Sequence, residues 1–172
     1  MPKSNLYIGV LSGTSADSID ALLVDFSKSI KVIDRFSEKI PKTVKDNIFE
    51  LVLNKKLPNY TEKQKELDCK LGKLIGKCVN QLIKKSQVDK QTVKGIGSHG
   101  QTIKHSSSRK KPFSLQIGNP ELIKKLTGIK VFMAFDKVTL QTAEWVLLLL
   151  RRFIKNICLR QISIVQSLIL VE

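Results

Sequence analysis

Two short segments carry side chains whose types and spacing suit chemistry. The first, Gly13-Thr14-Ser15-Ala16-Asp17-Ser18-Ile19-Asp20, gathers a glycine, small hydroxyls and two carboxylates. Backbone amides and hydroxyls in such a turn form a nest for an anion such as phosphate. Mg2+ gives up its water reluctantly, so a nearby carboxylate usually holds it through that hydration shell. Asp17 fits this role, with Asp20 as second choice or simply the first residue of a following strand. The second segment, Gly95-Ile96-Gly97-Ser98-His99-Gly100, matches the G-x-G-x-x-G pattern letter for letter. A dinucleotide site of that kind needs a helix to follow, aimed at the pyrophosphate. Here Gln101-Thr102-Ile103-Lys104-His105 leads into serines, basic residues and Pro112, which predicts no helix. The dinucleotide reading therefore fails. A sharply turned polar loop remains, with Ser98, His99, Gln101 and Thr102 at its tip, suited to a hydroxylated ligand. An ordinary turn with a solvated histidine is the plainer alternative.

These segments need elements to hold them. Leu6 to Leu11 reads as a strand, Ser12 to Ser15 as a tight turn, and Ile19 to Phe26 and Ser29 to Phe36 as two further strands. Val44 to Leu53 predicts a short amphipathic helix ending before Pro58. Thr61 to Lys85 is the clearest helix, with Thr61 as expected N-cap and Leu67, Leu71, Leu74, Ile75, Cys78, Val79, Leu82 and Ile83 on one stripe. Val93 to Ser98, Phe113 to Ile117 and Ile129 to Met133 predict short strands. Asn119-Pro120 opens a helix as cap and first residue, and Gly128 closes it. Alternation after an opening meander predicts an α/β fold with a mixed sheet.

Composition bounds the rest. The chain has 172 residues, 42% of them apolar, which excludes disorder. Three cysteines and two histidines make neither a disulfide framework nor a zinc site. Met1 to Asn5 is polar and Gly9 comes early, so no cleavable signal is expected and the cytoplasm is the expected compartment. The formal charge is +15, and residues 1–136 hold 25 Lys+Arg against 13 Asp+Glu, or +12. The lysines are spread over helix faces, and no aromatic residues interleave with them as a stacking platform would. Neither nucleic acid nor membrane is the expected partner. A non-enzymatic basic protein binding nucleic acid or an acidic membrane surface is the alternative from another class.

Further motifs sharpen the picture. Leu115-Gln116-Ile117-Gly118-Asn119-Pro120 and Leu126-Thr127-Gly128-Ile129 follow the first two segments in order. From about Tyr7 to Val131 the set closely resembles the anhydro-N-acetylmuramic acid kinases, bacterial enzymes of cell-wall recycling. The resemblance implies the actin-like/hexokinase-like sugar kinase fold, ribonuclease H-like and α/β, with residues 1–133 as an incomplete N-terminal subdomain. It implies cleavage of the 1,6-anhydro ring of a small sugar with phosphorylation by ATP and Mg2+, giving N-acetylmuramic acid 6-phosphate. Gly13 to Asp20 is then the ATP phosphate loop, with Asp17 toward the metal. Ser98, His99, Gln101, Thr102, Gln116 and Asn119 lie toward the sugar. The family's general-base Asp falls in a segment that has no match here, so this chain is expected to be inactive, or a pseudo-kinase that keeps weak ligand binding. Two residues depart from the pattern: Ala16 replaces a bulkier apolar residue, and Ser18 replaces glycine. A left-handed backbone at Ser18 would cost about 1 kcal/mol.

The resemblance stops near Ala134. All nine glycines and all five prolines lie within residues 1–128, whereas average usage would put roughly five of them in the remainder. Codons read from the third base of each present codon permit family-like segments, in order and at family-like spacing. Phe135-Asp136 then permits only Arg or a stop, Trp145-Val146 gives Gly, and Ser167 to Glu172 permits LNIGG. Residues 134–172 are therefore expected to be an out-of-frame, non-native tail. Trp145 to Leu150 is too short to span a membrane.

Overall fold

The computed structural model describes residues 5–54, 56–106 and 113–133. The expected tail lies outside them. The chain opens as a meander of β1 (Leu6–Ser12), β2 (Ser18–Asp25) and β3 (Lys31–Lys39). Two helices follow, α1 (Lys42–Leu53) and α2 (Tyr60–Ser86). Then come β4 (Val93–Ser98), a hairpin of β5 (Gln101–Ser106) and β6 (Phe113–Ile117), α3 (Pro120–Thr127) and β7 (Val131–Met133). The main sheet has the order β3-β2-β1-β4-β7. Its meander pairs are antiparallel, whereas β1/β4 and β4/β7 are parallel. The architecture is mixed α/β, as the alternation predicts.

Helix α2 covers one face of the sheet. Its stripe of Leu67, Leu71, Ile75, Cys78, Val79 and Leu82 is buried with Ile8, Val10, Ile19, Ala21 and Leu23 of the strands. Burying each such side chain contributes about 2 kcal/mol. The Cys78 thiol donates to the Ile19 carbonyl at 3.5 Å, and burial pushes its pKa up to about 12, so it is an inert core group. At the border of this face Lys77 reaches Glu38 and Lys85 reaches Asp34. Lys63 and Lys70 are likewise paired, with Glu50 and Glu66. Strand β3 is outermost, with Lys31, Ile33, Arg35, Ser37 and Lys39 exposed in alternation. Among the described residues no helix is long and apolar enough to cross a membrane.

Helix α3 docks on α2 through two glycines one turn apart. A Cβ at Gly72 would lie 2.9 Å from the Asn119 carbonyl oxygen, and one at Gly76 would lie 2.8 Å from Leu126 Cδ1. The two differ in what must yield. Alanine raises helix propensity by about 1 kcal/mol at either position. The Asn119 backbone cannot step aside, whereas Leu126 Cδ1 can rotate away, leaving the 3.1 Å approach to Leu126 Cβ for a shift of a few tenths of an ångström in α3 to relieve. Gly72→Ala is therefore expected to destabilise the chain and Gly76→Ala to leave stability within about 1 kcal/mol, compared by urea unfolding.

Three local expectations need correction. Helix α2 begins at Tyr60, so Thr61 sits inside its first turn and caps nothing; Asn59 precedes the helix and makes no side-chain cap bond. The turn in which Tyr60 N–H donates to Leu57 O brings the chain into helical geometry one residue early. The loop expected at Ser98 to Thr102 is shorter than that, because Gln101 already begins β5, paired with Ile117. The left-handed residue of the first turn is Ala16 (φ +48°), whereas Ser18 opens β2 opposite Lys39 in ordinary extended backbone. The α3 reading holds: the Asn119 side chain caps Leu122 N–H at 3.0 Å, and Gly128 (φ +69°) ends the helix.

Candidate functional site

The carboxyl ends of the adjacent parallel strands β1 and β4 lie side by side, Val10 opposite Ser98. Crevices at such strand ends are where open α/β sheets take ligands. From β1 the chain turns through Gly13 to Asp17. Ala16 N–H donates to Gly13 O at 3.0 Å, and the Ala16 methyl is fully buried. Gly13, Thr14, Ser15 and Asp17 are exposed around it. Beside Gly13 only Ser15 Oγ comes within 4 Å of where a Cβ would be, which leaves the backbone approachable.

Asp17 is tied on three sides. Its carbonyl accepts from Ile40 N–H at 2.9 Å, which pins the entry to α1 against the turn. Its carboxylate accepts from the Lys45 ammonium and from the Ser15 hydroxyl. The Lys45 hydrogen bond, and then that of Ser15, hold its pKa below the ordinary 3.8. It is thus a fixed anion at any physiological pH. Among the described residues no group of three or more His, Cys, Asp or Glu is placed to hold a metal. A Mg2+ at Asp17 would take its other oxygens from water and phosphate, which suits a single exposed carboxylate. The rest of the predicted segment is spent on structure. Ile19 is in the core, and the Asp20 carboxylate accepts from Ser37 Oγ at 2.7 Å and Ser18 Oγ at 3.3 Å on the strand surface.

The second turn consists of His99 and Gly100. His99 N–H donates to Val10 O at 3.0 Å, extending the β1/β4 ladder, and Gly100 takes the left-handed region at φ +63°. Ser98 is wholly buried, and its hydroxyl has no hydrogen-bond partner among the described residues. Gln101 is 3% exposed because its Oε1 accepts from Ser12 Oγ at 2.6 Å inside the fold. That bond joins residues 89 positions apart and ties the strand before the first turn to the strand that leaves the second. Gln116 lies opposite Thr102 in the hairpin and donates through Nε2 to Thr102 Oγ1 at 3.3 Å and to Ser114 Oγ. His99, Thr102 and Gln116 are the half-buried members of this set, although Nδ1 of His99 is itself buried.

Asn119 stands apart. Its Oδ1 caps α3 and its Nδ2 donates to Asp68 Oδ2 at 2.9 Å. Asp68 Oδ1 accepts from Gly118 N–H at 2.8 Å, and the Asp68 carbonyl accepts from Asn119 N–H at 3.1 Å. Sequence reasoning misses Asp68, whose only signal is an acid beside the apolar stripe of α2. Sequence reasoning reads Ser12 only as the start of the first turn and misses its bond to Gln101, and it misses Lys45, which sits on α1 away from any recognisable motif.

Comparison with known proteins gives a consistent result. A family model described as anhydro-N-acetylmuramic acid kinase matches residues 5–141. A protein of that name from Coxiella burnetii (strain RSA 493 / Nine Mile phase I) is 42% identical over 137 residues, covering 80% of this chain and 36% of the relative. Its namesake in Shewanella sediminis (strain HAW-EB3) is 43% identical over 138 residues, 78% of this chain and again 36% of the relative. The chain therefore spans little more than a third of the length of these relatives.

Proposed function

The chain belongs to the anhydro-N-acetylmuramic acid kinase family, and from that premise we propose that residues 1–133 form the ATP-binding, sugar-facing half of its cleft. In this reading they are the N-terminal subdomain of an actin-like/hexokinase-like sugar kinase of the cytoplasm. Gly13 to Asp17 cradle the nucleotide phosphates, with Asp17 facing a hydrated Mg2+. Bound Mg2+–ATP would supply the phosphoryl group and its charge neutralisation. His99, Thr102 and Gln116 meet sugar hydroxyls, whereas Ser98 lies buried beneath the turn, Gln101 is engaged by Ser12, and Asn119 is engaged by α3 and Asp68. The observation that carries the reading is the buried Ser12–Gln101 hydrogen bond, which brings both motif turns to the ends of neighbouring parallel strands. The order of an antiparallel meander followed by parallel strands gives further support.

In this family reading the general-base Asp lies in a part of the relatives that has no counterpart here. The 172-residue chain, given ATP, Mg2+ and the anhydro-sugar, is therefore expected to make no phosphorylated sugar above background. In NMR titrations ATP is expected to shift the amides of Gly13 to Asp17, and the sugar those of Ser98 to Thr102. Turnover would sink the inactivity claim; ATP shifts spread elsewhere would sink the site. We also read residues 134–172 as out of frame, although the family match runs eight residues past 133, to 141. The nucleotide sequence decides this, since a shifted frame that fails to encode family segments removes the idea.

A further inference from the structure

The Lys45 ammonium sits on the carboxylate of Asp17, yet Lys45 belongs to a different element, the first turn of α1. Its placement there is at odds with helix stability. The N-terminus of a helix carries positive partial charge and favours acids. The first turn of α1 has no acid and no side-chain cap, and holds both Lys42 and Lys45. Natural chains break such local rules chiefly at functional positions. The geometry is also fixed rather than incidental. The Ile40–Asp17 backbone bond and Pro41 set where α1 starts, and the Phe49 ring lies 5.7 Å from the Lys45 ammonium. Only about a third of the Lys45 side chain is exposed, against 64% for Asp17.

We propose that Lys45 is a further nucleotide-binding residue, held by Asp17 at the mouth of the turn and turning to a phosphate oxygen when Asp17 faces Mg2+. Resting on the phosphate-loop reading above, this assigns Lys45 the work of an internal counter-ion. Without nucleotide it neutralises Asp17. With nucleotide it loses that partner, and an anion held at the turn relieves both the free ammonium and the cationic start of the helix.

The test measures binding of Mg2+–ATP and of adenosine to the 172-residue chain by NMR titration, alongside melting temperatures. Lys45→Met and Lys45→Gln are expected to weaken Mg2+–ATP by about tenfold, as for a lost charge-assisted contact. Lys45→Arg is expected to stay within about threefold of the original, because the charge persists. Adenosine binding should not change in any of them, and melting temperature should not fall appreciably, because losing the exposed ion pair is offset by removing a cation from the helix start. Unchanged Mg2+–ATP affinity in Lys45→Met, with Asp17→Asn weakened, overturns the proposal and leaves the phosphate loop standing. Equal losses for adenosine assign Lys45 to folding and also overturn it. No ATP shift at Gly13 to Asp17 in the unsubstituted chain removes the phosphate-loop reading, and this inference with it.

Discussion

Asp68→Ala is expected to lower the stability of the chain by about 2–4 kcal/mol, among the largest effects of any single polar substitution here. The carboxylate takes two donors from the connection between β6 and α3, Gly118 N–H at 2.8 Å and Asn119 Nδ2 at 2.9 Å. Both bonds are charge-assisted, and their donors are partly or wholly withdrawn from water. Alanine leaves those donors without an acceptor, so the desolvation cost adds to the lost attraction. Asp68→Asn keeps one acceptor and should lose roughly half as much. Urea unfolding at neutral pH measures both. A loss for Asp68→Ala below about 1 kcal/mol would mean that water replaces the carboxylate there.

Gly100→Ala should be comparably damaging, at about 3 kcal/mol, from two sources that act together. Gly100 is left-handed at φ +63°, and a Cβ there would lie 2.5 Å from the Ile117 carbonyl oxygen. That oxygen is backbone of β6, so relief requires the hairpin to open at its root. Opening moves Gln101, the residue that meets Ser12. The signature is therefore a drop in urea midpoint together with loss of the Gln101 carboxamide's distinct NMR environment. Retention of that environment with a loss under about 0.5 kcal/mol would show that the turn can adapt.

The contrast between these residues shows what one-dimensional reading can reach. Asn119, Pro120 and Gly128 were legible because capping chemistry is local: a side chain meets its own helix end within a few residues. The stripe of α2 was legible for the same reason, through its period. Strand β5 was not, since Gln101 to Ser106 contains one apolar residue, Ile103, and its buried Gln101 owes its place to Ser12, 89 residues away. Asp17 was found through its motif, but its partner Lys45 was not. No spacing rule links a turn to a helix 28 residues on. Ala16 rather than Ser18 takes the left-handed position because the turn closes between Gly13 and Ala16, two residues earlier than residue type suggests. The motifs thus identify the turns, and the partners that fix those turns emerge only from the fold.

The outer rim formed by β3 has a bearing on how the chain behaves when crowded. A second copy adding antiparallel about Arg35 would set Arg35 against Arg35 and Lys31 against Lys39, all on the exposed alternation. Like charges in directly opposed positions disfavour such pairing, and basic residues along an open edge block fibrous growth. The protection is electrostatic and hence conditional. It fades as ionic strength shortens the reach of the repulsion. Concentrated salt, rather than heat alone, is the condition under which this rim loses its guard.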